Sequence, residues 1–202
     1  MNLIALIKPK KKFYNEVMSL KKLVGKKFGN QTYLKHLPHI TIFDLKISKS
    51  KITANHKNKI QIKHFKKSKL RLILKKRYFF KSDPITNKTT FVIFLKKTLI
   101  LKAIQTKLLD RFKKIKLNKK FKFKDKNLTI NSVKYGYPFV KKNWKPHLTI
   151  VSIDKKYSKD TIFTKFLSNK KKFYEYFEFV YFYEFYKNKH FFLWKSKVVN
   201  DN

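Results

Sequence analysis

Residues 37–43 read LPHITIF and residues 145–151 read KPHLTIV, so the chain writes Pro-His-apolar-Thr-Ile twice, with 147 − 39 = 108 residues between the two histidines. In a strand, residues i and i+2 point to the same side. His39 therefore shares a face with Thr41, and His147 with Thr149, while Ile40, Ile42, Leu148 and Ile150 turn the other way, towards a core. Two imidazoles flanked by two hydroxyls suit phosphodiester chemistry. An imidazole titrates near ~6.5, so one ring can be neutral and accept a proton while the other is charged and donates one. Removing a proton from an attacking oxygen and delivering one to a leaving oxygen on the far side of phosphorus takes two such groups. The Thr41 and Thr149 hydroxyls are placed to hydrogen-bond the non-bridging oxygens and hold the phosphorus between the rings. That chemistry needs no metal, and a bell-shaped pH profile centred near neutrality is expected of it.

A single His-x-Thr in a strand is an ordinary structural feature. A second Pro-His-x-Thr-Ile in a chain with six histidines and five prolines arises by composition alone in roughly one case in a thousand. The remaining histidines carry less. His36 and His39 have no third histidine or carboxylate at metal-ligand spacing, so no metal is expected and His36 reads as a solvated loop residue. His56, His64 and His190 read as surface or structural positions. The absence of cysteine excludes disulfides, thiolate metal sites and a cysteine nucleophile. Tyr137 and Trp144, in the approach to the second motif, are candidates for stacking on a base. The run FYEYFEFVYFYEFY at 173–186 reads as sheet core with one solvated face and is assigned no chemistry.

The elements that must carry the motifs also repeat. Asn2–Ile7 is a short apolar strand. Phe13, Val17, Leu20, Val24 and Phe28 recur at spacings of three and four, one face of a helix that stops at Gly29. HITIFDLKI follows as an alternating strand, and Leu70–Phe80 as another. Thr90–Lys96 then opens a second round, with a helical face at Leu101, Ile104, Leu108, Phe112 and Ile115, and HLTIVSI as its motif strand. Between the second helix and the second motif, a strand is expected near Leu128–Val133. A third helix is expected over Ser158–Leu167, opened by a Ser cap. Two aromatic strands, near Phe173–Phe185 and His190–Val198, close the chain. The lysine-rich stretch 48–69 reads as a surface connection. The whole is α+β: a single bilobal domain over residues 1–202, with two related lobes, each a mixed or antiparallel sheet with a helix on its outer face, around a central cleft.

The duplicated motif, in this order of strands and helices, resembles the two-histidine phosphoesterase superfamily, which includes 2'-5' RNA ligase-like proteins and RNA cyclic phosphodiesterases. The resemblance implies a bilobal α+β fold with a His-x-Thr motif on each lobe. It also implies metal-independent action on 2',3'-cyclic phosphates or 2',5'-linked oligonucleotides. On this chain it assigns His39 and His147 as the acid–base pair and Thr41 and Thr149 as phosphate ligands. Hydrolysis of a 2',3'-cyclic phosphate on an RNA end or small nucleotide is the first functional expectation. Cleavage of 2',5'-linked or cyclic oligonucleotide signals is the alternative within the class. A non-catalytic basic RNA-binding protein on the same fold is the alternative outside it. No cofactor is expected.

The formal net charge of +41 has two sources to weigh. Of 52 basic residues 49 are lysine, as AT-rich coding produces, but the same bias would supply Glu and Asp, of which there are 11. Something besides codon usage keeps acids out, and a polyanionic partner such as RNA is the physical candidate. No stretch has the length or charge pattern of a signal peptide or membrane helix, so a soluble, cytoplasmic monomer without membrane contact is expected.

Overall fold

The computed structural model describes residues 1–63, 70–83, 85–117, 123, 125–187 and 189–201. The first half of the chain runs β1 (Asn2–Ile7), α1 (Lys11–Phe28), β2 (Ile40–Lys46), α2 (Ala54–Lys57), β3 (Ile60–Lys63) and β4 (Arg71–Phe80). The second runs β5 (Thr89–Leu95), α3 (Leu99–Phe112), α4 (Lys126–Tyr135), β6 (His147–Ile153), α5 (Thr161–Ser168), β7 (Tyr174–Tyr176), β8 (Phe179–Tyr186) and β9 (Lys189–Asp201).

The strands form two sheets, ordered β2-β1-β8-β9-β3 and β6-β5-β4-β7. All pairings are antiparallel except that of β3 with β9. The architecture is α+β with two sheets, as the repeated pattern predicts. Each sheet has a motif strand at its edge, with the opening strand of the same half beside it. A single core joins the sheets, in which Phe91 stacks on Phe163 at 4.0 Å and Phe43 meets Phe112 edge-on at 5.6 Å.

The helices exchange partners. α1 lies against β6 and β7 of the second sheet, and α3 against β2 and β3 of the first. Each half of the chain thus lends its helix to the other half's sheet, rather than covering its own. Periodicity identifies the apolar face, here Phe13, Val17, Leu20 and Val24 on α1, but says nothing of which sheet it meets. The exchange is fastened by charge. Lys10, at the N-cap of α1, makes no side-chain cap; instead Glu175 of β7 accepts hydrogen bonds from the Lys10 and Phe13 backbone N–H groups. Buried Arg77 of β4 donates to Glu16 of α1 at 2.8 Å, and to the carbonyls of Asn169 and Lys171.

Four expectations are corrected. Residues Leu128–Val133 lie within α4 and not in a strand. Asp125 caps that helix by accepting from the Asn127 N–H, and Gly136, at φ 74°, ends it with its N–H on the Ser132 carbonyl. Ile130 and Val133 are 51% and 60% exposed, so the β-branched residues there are not core markers and the caps decide. The third helix starts at Thr161, capped by Asp160, whereas Ser158 belongs to a preceding turn and its hydroxyl donates to the Lys155 carbonyl. The aromatic stretch after residue 173 is two strands, β7 in the second sheet and β8 in the first. The connection 48–63 holds α2 and β3; residues 64–69, His64 among them, lie outside the described residues. No helix of the described residues is long and apolar enough to cross a membrane.

Candidate active site

Both motifs are built by the same local rules. Pro38 and Pro146 hold the residue before each of them extended. Each histidine then folds its ring back onto that residue: His39 Nδ1 meets the Leu37 carbonyl at 2.8 Å, and His147 Nδ1 meets the Lys145 carbonyl at 2.7 Å. A carbonyl only accepts, so Nδ1 carries the proton in both rings and Nε2 is the nitrogen left to act as base or, once protonated, as acid.

Beyond each threonine the strand bulges. On β2, Thr41 pairs with Leu6 and Phe43 with Ala5, leaving Ile42 as the extra residue. On β6, Thr149 pairs with Val92 and Val151 with Phe91, leaving Ile150 as the extra residue. Ile42 and Phe43 are both fully buried, as are Ile150 and Val151. The bulge re-aims the chain where each motif ends, and a bulge beside a site is a common device for that purpose. Asp44 and Ser152 occupy equivalent places after it. The Ser152 hydroxyl bonds with the Thr86 and Thr90 hydroxyls at 2.6 and 2.8 Å.

The two motif strands lie next to each other, with Cα atoms of β2 and β6 approaching within 8 Å. Side chains of the second half occupy carbonyls of the first motif. Trp144, three residues before His147, donates its indole N–H to the Thr41 carbonyl at 3.0 Å. Gln105 of α3 donates to the Ile42 carbonyl at 2.8 Å and accepts from the Lys141 N–H. Ser152 N–H reaches back to the Thr32 carbonyl at 3.0 Å. Trp144 is only 3% exposed and shows no face to a base, so its assignment as a stacking residue is corrected: it locks the two motifs together. Tyr137 is half-buried, packed against the core and edge-on to Phe139, and burial together with the Asp44 carboxylate raises its phenol.

The surroundings of the two histidines differ. His190, at the start of β9, stands edge-on to both His39 and His36, at 5.7 and 5.9 Å. His36 is half-buried against Tyr33 and His190, rather than solvated. Lys21 of α1, only 4% exposed, donates to the carbonyls of Tyr33 and His36 and pins the loop that leads to His39. Tyr33 there takes a left-handed φ of 70°. Burial lowers Lys21 to about 8. Burial pushes His39 down to about 4 against the effect of its Leu37 bond, with His190, His36 and Lys21 adding in the same direction. Burial also lowers His147, but its Lys145 bond and the Asp83 carboxylate oppose the shift. Asp83 also raises Tyr33, after burial, to about 12, so its charge is felt both in the loop of one motif and at the ring of the other. Lys21, Asp83 and His190 carry no local sequence signal; they reach the site through the fold.

Among the described residues, no group of three or more His, Asp or Glu side chains is placed to hold a metal ion. The chain matches no model of a known protein family, and no curated protein matches it either.

Proposed function

We propose that the protein is a phosphodiesterase of the two-histidine type, acting on RNA ends or small nucleotides without a metal, with 2',3'-cyclic phosphate as its leading substrate. The observation that carries this reading is the paired presentation of Nε2. Two Pro-His-x-Thr segments, 108 residues apart, bond the same ring nitrogen to the same relative carbonyl and end in the same bulge, on adjacent edge strands. A structural histidine needs no such duplicate.

The unequal surroundings favour one division of roles. His39, crowded by three basic groups, is the neutral ring and takes the proton from the attacking water. His147, beside Asp83, is the ring that more readily holds a proton and gives it to the departing ribose oxygen. Water's oxygen bonds to phosphorus, one P–O bond of the cyclic ester breaks, and the two protons move as stated. Thr41 and Thr149 hold the non-bridging oxygens. The test is turnover in EDTA of 2',3'-cyclic nucleotides, an RNA ending in 2',3'-cyclic phosphate, and 2',5'-linked oligoadenylate. Binding of RNA with no turnover of any of them would favour the non-catalytic alternative.

Two smaller effects follow from these roles. Thr41→Ala or Thr149→Ala removes one hydrogen bond to a charged oxygen, worth ~1.5–3 kcal/mol, so turnover should fall about 10–100-fold. Serine at either position should restore most of it, and equal turnover in the alanine variants would contradict phosphate contact. The second effect concerns pH. Activity needs His39 deprotonated, so kcat/KM falls as pH drops through about 4. It also needs His147 protonated, so kcat/KM falls as pH rises through a value below the ordinary imidazole range. The optimum therefore belongs on the acid side of neutrality, rather than at it. Asp83→Asn keeps an acceptor for the Ile85 N–H but removes the anion that favours the His147 imidazolium. Its alkaline limb should move to lower pH while the acid limb stays in place; an unmoved alkaline limb would reverse the assignment.

A further inference from the structure

The strand β1 has two apolar faces. Leu3, Ala5 and Ile7 enter the main core, while Ile4 and Leu6 join a separate small cluster on the opposite side with Tyr181, Tyr183 and Phe185 of β8. Thr41 pairs with Leu6, so it belongs to this second face. Tyr181, Tyr183 and Phe185 of β8 thus lie on the side of the first sheet that carries the motif, whereas Phe182 between them enters the core between the sheets.

On that face the rings form a ladder. Phe179, Tyr181, Tyr183 and Phe185 alternate along β8, a span of about 20 Å at ~3.3 Å per residue. At one end His190 touches Phe185 at 5.0 Å, Tyr183 at 6.0 Å and His39 at 5.7 Å, which joins the ladder to the reacting group. Beside it Phe192, 56% exposed, stands edge-on to Tyr183 at 5.5 Å. Lysines lie over the rings. Lys8 Nζ is 4.9 Å from the Tyr181 ring and 5.0 Å from that of Tyr183, and Lys195 Nζ is 4.6 Å from Phe179. Neither lysine is ion-paired among the described residues. At the far end, Lys8, Pro9, Phe179 and Tyr181 line a hollow of about 210 Å³ together with Phe177 and the Lys10–Glu178 ion pair. The other motif has a shorter counterpart: His147 rests on Phe80 and Phe94, and Lys76 Nζ lies 4.2 Å over the adjacent, 40% exposed Tyr78.

Tyr183 is buried beneath its neighbours, but Phe179, Tyr181 and Phe185 are half-buried and Phe192 is exposed, and accessible rings beside unpaired lysines are the composition of a surface that stacks bases and tracks phosphates. We infer that the open face of the first sheet, from His190 along β8 to the hollow at Lys8, is a track for a single-stranded oligonucleotide, and that such a strand, rather than a mononucleotide, is the substrate. The nucleotides beyond the reacting phosphate stack on Phe192 and the β8 rings, and Lys8 and Lys195 meet their phosphates. The inference rests on the two-histidine reading only for where the reacting phosphate sits.

The test is fluorescence anisotropy with a labelled eight-nucleotide 2'-O-methyl RNA ending in a 3'-phosphate, run beside turnover of a 2',3'-cyclic mononucleotide. Phe192→Ala and Tyr181→Ala should each weaken binding of the strand about 5- to 150-fold, the range for loss of one stacked base. Phe192→Leu, which keeps apolar bulk without a π-face, should weaken it nearly as much. Turnover of the mononucleotide should hardly change in any of the three. Unchanged strand affinity in both alanine variants would overturn the track, even with turnover intact. So would an equal loss for a double-stranded RNA, whose bases cannot stack on the sheet. Ring-dependent binding with no turnover of any substrate would leave the track standing and sink the catalytic reading instead.

Discussion

His39→Ala and His147→Ala are each expected to lower turnover of a 2',3'-cyclic phosphate by roughly 10²–10⁴-fold, because each removes one of two proton-transfer partners. The double variant should lose far less than the product of the two. Once one proton transfer fails, the other has little transition state left to stabilise, so groups that act as a unit are strongly non-additive. Affinity for an uncleavable analogue should survive better than turnover, since Thr41 and Thr149 remain. The roles separate with a second substrate. A nitrophenyl phosphodiester has a leaving group that departs without a proton, so His147→Ala should recover much of its loss on it and His39→Ala should not. EDTA should leave all these rates alone. Both rings are half-buried at the starts of edge strands, and Nδ1 of each bonds only to its own segment, so the variants should keep the wild-type circular dichroism. Near-normal turnover in a folded His147→Ala protein would refute the pairing.

What the sequence made legible was local. The apolar run Asn2–Ile7 is β1 to the residue, and the spacing of Phe13 to Val24 marks the buried face of α1. Both motifs open strands, because β-branched residues after Pro-His leave little else for the chain to do. The bulges were missed, because HITIFDLKI was read as simply alternating. In HITIFDL the alternation breaks at Ile42-Phe43, and in HLTIVSI at Ile150-Val151, two apolar neighbours where one polar residue should intervene. The other failures were of two kinds. At α4, Asp125 and Gly136 outweighed a strand-like apolar pattern whose side chains face solvent, so hydrophobicity there carried no burial information. His190 and Lys21 failed for another reason. His190 reaches His39 across the sheet order, and Lys21 folds back from α1 onto the Tyr33 and His36 carbonyls of the loop that follows; no local motif marks either pairing. Trp144 was noticed for its aromatic ring, but its buried indole N–H on the Thr41 carbonyl turned out to matter more.

Binding of single-stranded RNA should fall steeply with salt. Each phosphate neutralised by lysine releases condensed counterions, which gives a slope of log affinity on log salt of about −0.7 per phosphate for a single strand. A strand held by Lys8 and Lys195 has at least two phosphates neutralised, and should bind at least about 7-fold more weakly at 200 mM than at 50 mM salt. The net charge of +41 makes the direction certain for any polyanion, but not the slope, because the lysines cover the whole surface and most of them meet no ligand. The slope therefore counts contacts where the net charge cannot. Lys8→Gln and Lys195→Gln should each flatten it by about 0.7, whereas Lys→Gln on the far side, at Lys107 or Lys165, should lower affinity slightly through the general field and leave the slope alone. A mononucleotide carries a single reacting phosphate, so its KM should respond only weakly over the same range. A flat response for the strand, with cyclic-phosphate turnover retained, would identify the lysines as a product of AT-rich coding and the substrate as a small nucleotide. A slope unaltered by Lys8→Gln and Lys195→Gln would move the strand off the first sheet while leaving the polyanion partner in place.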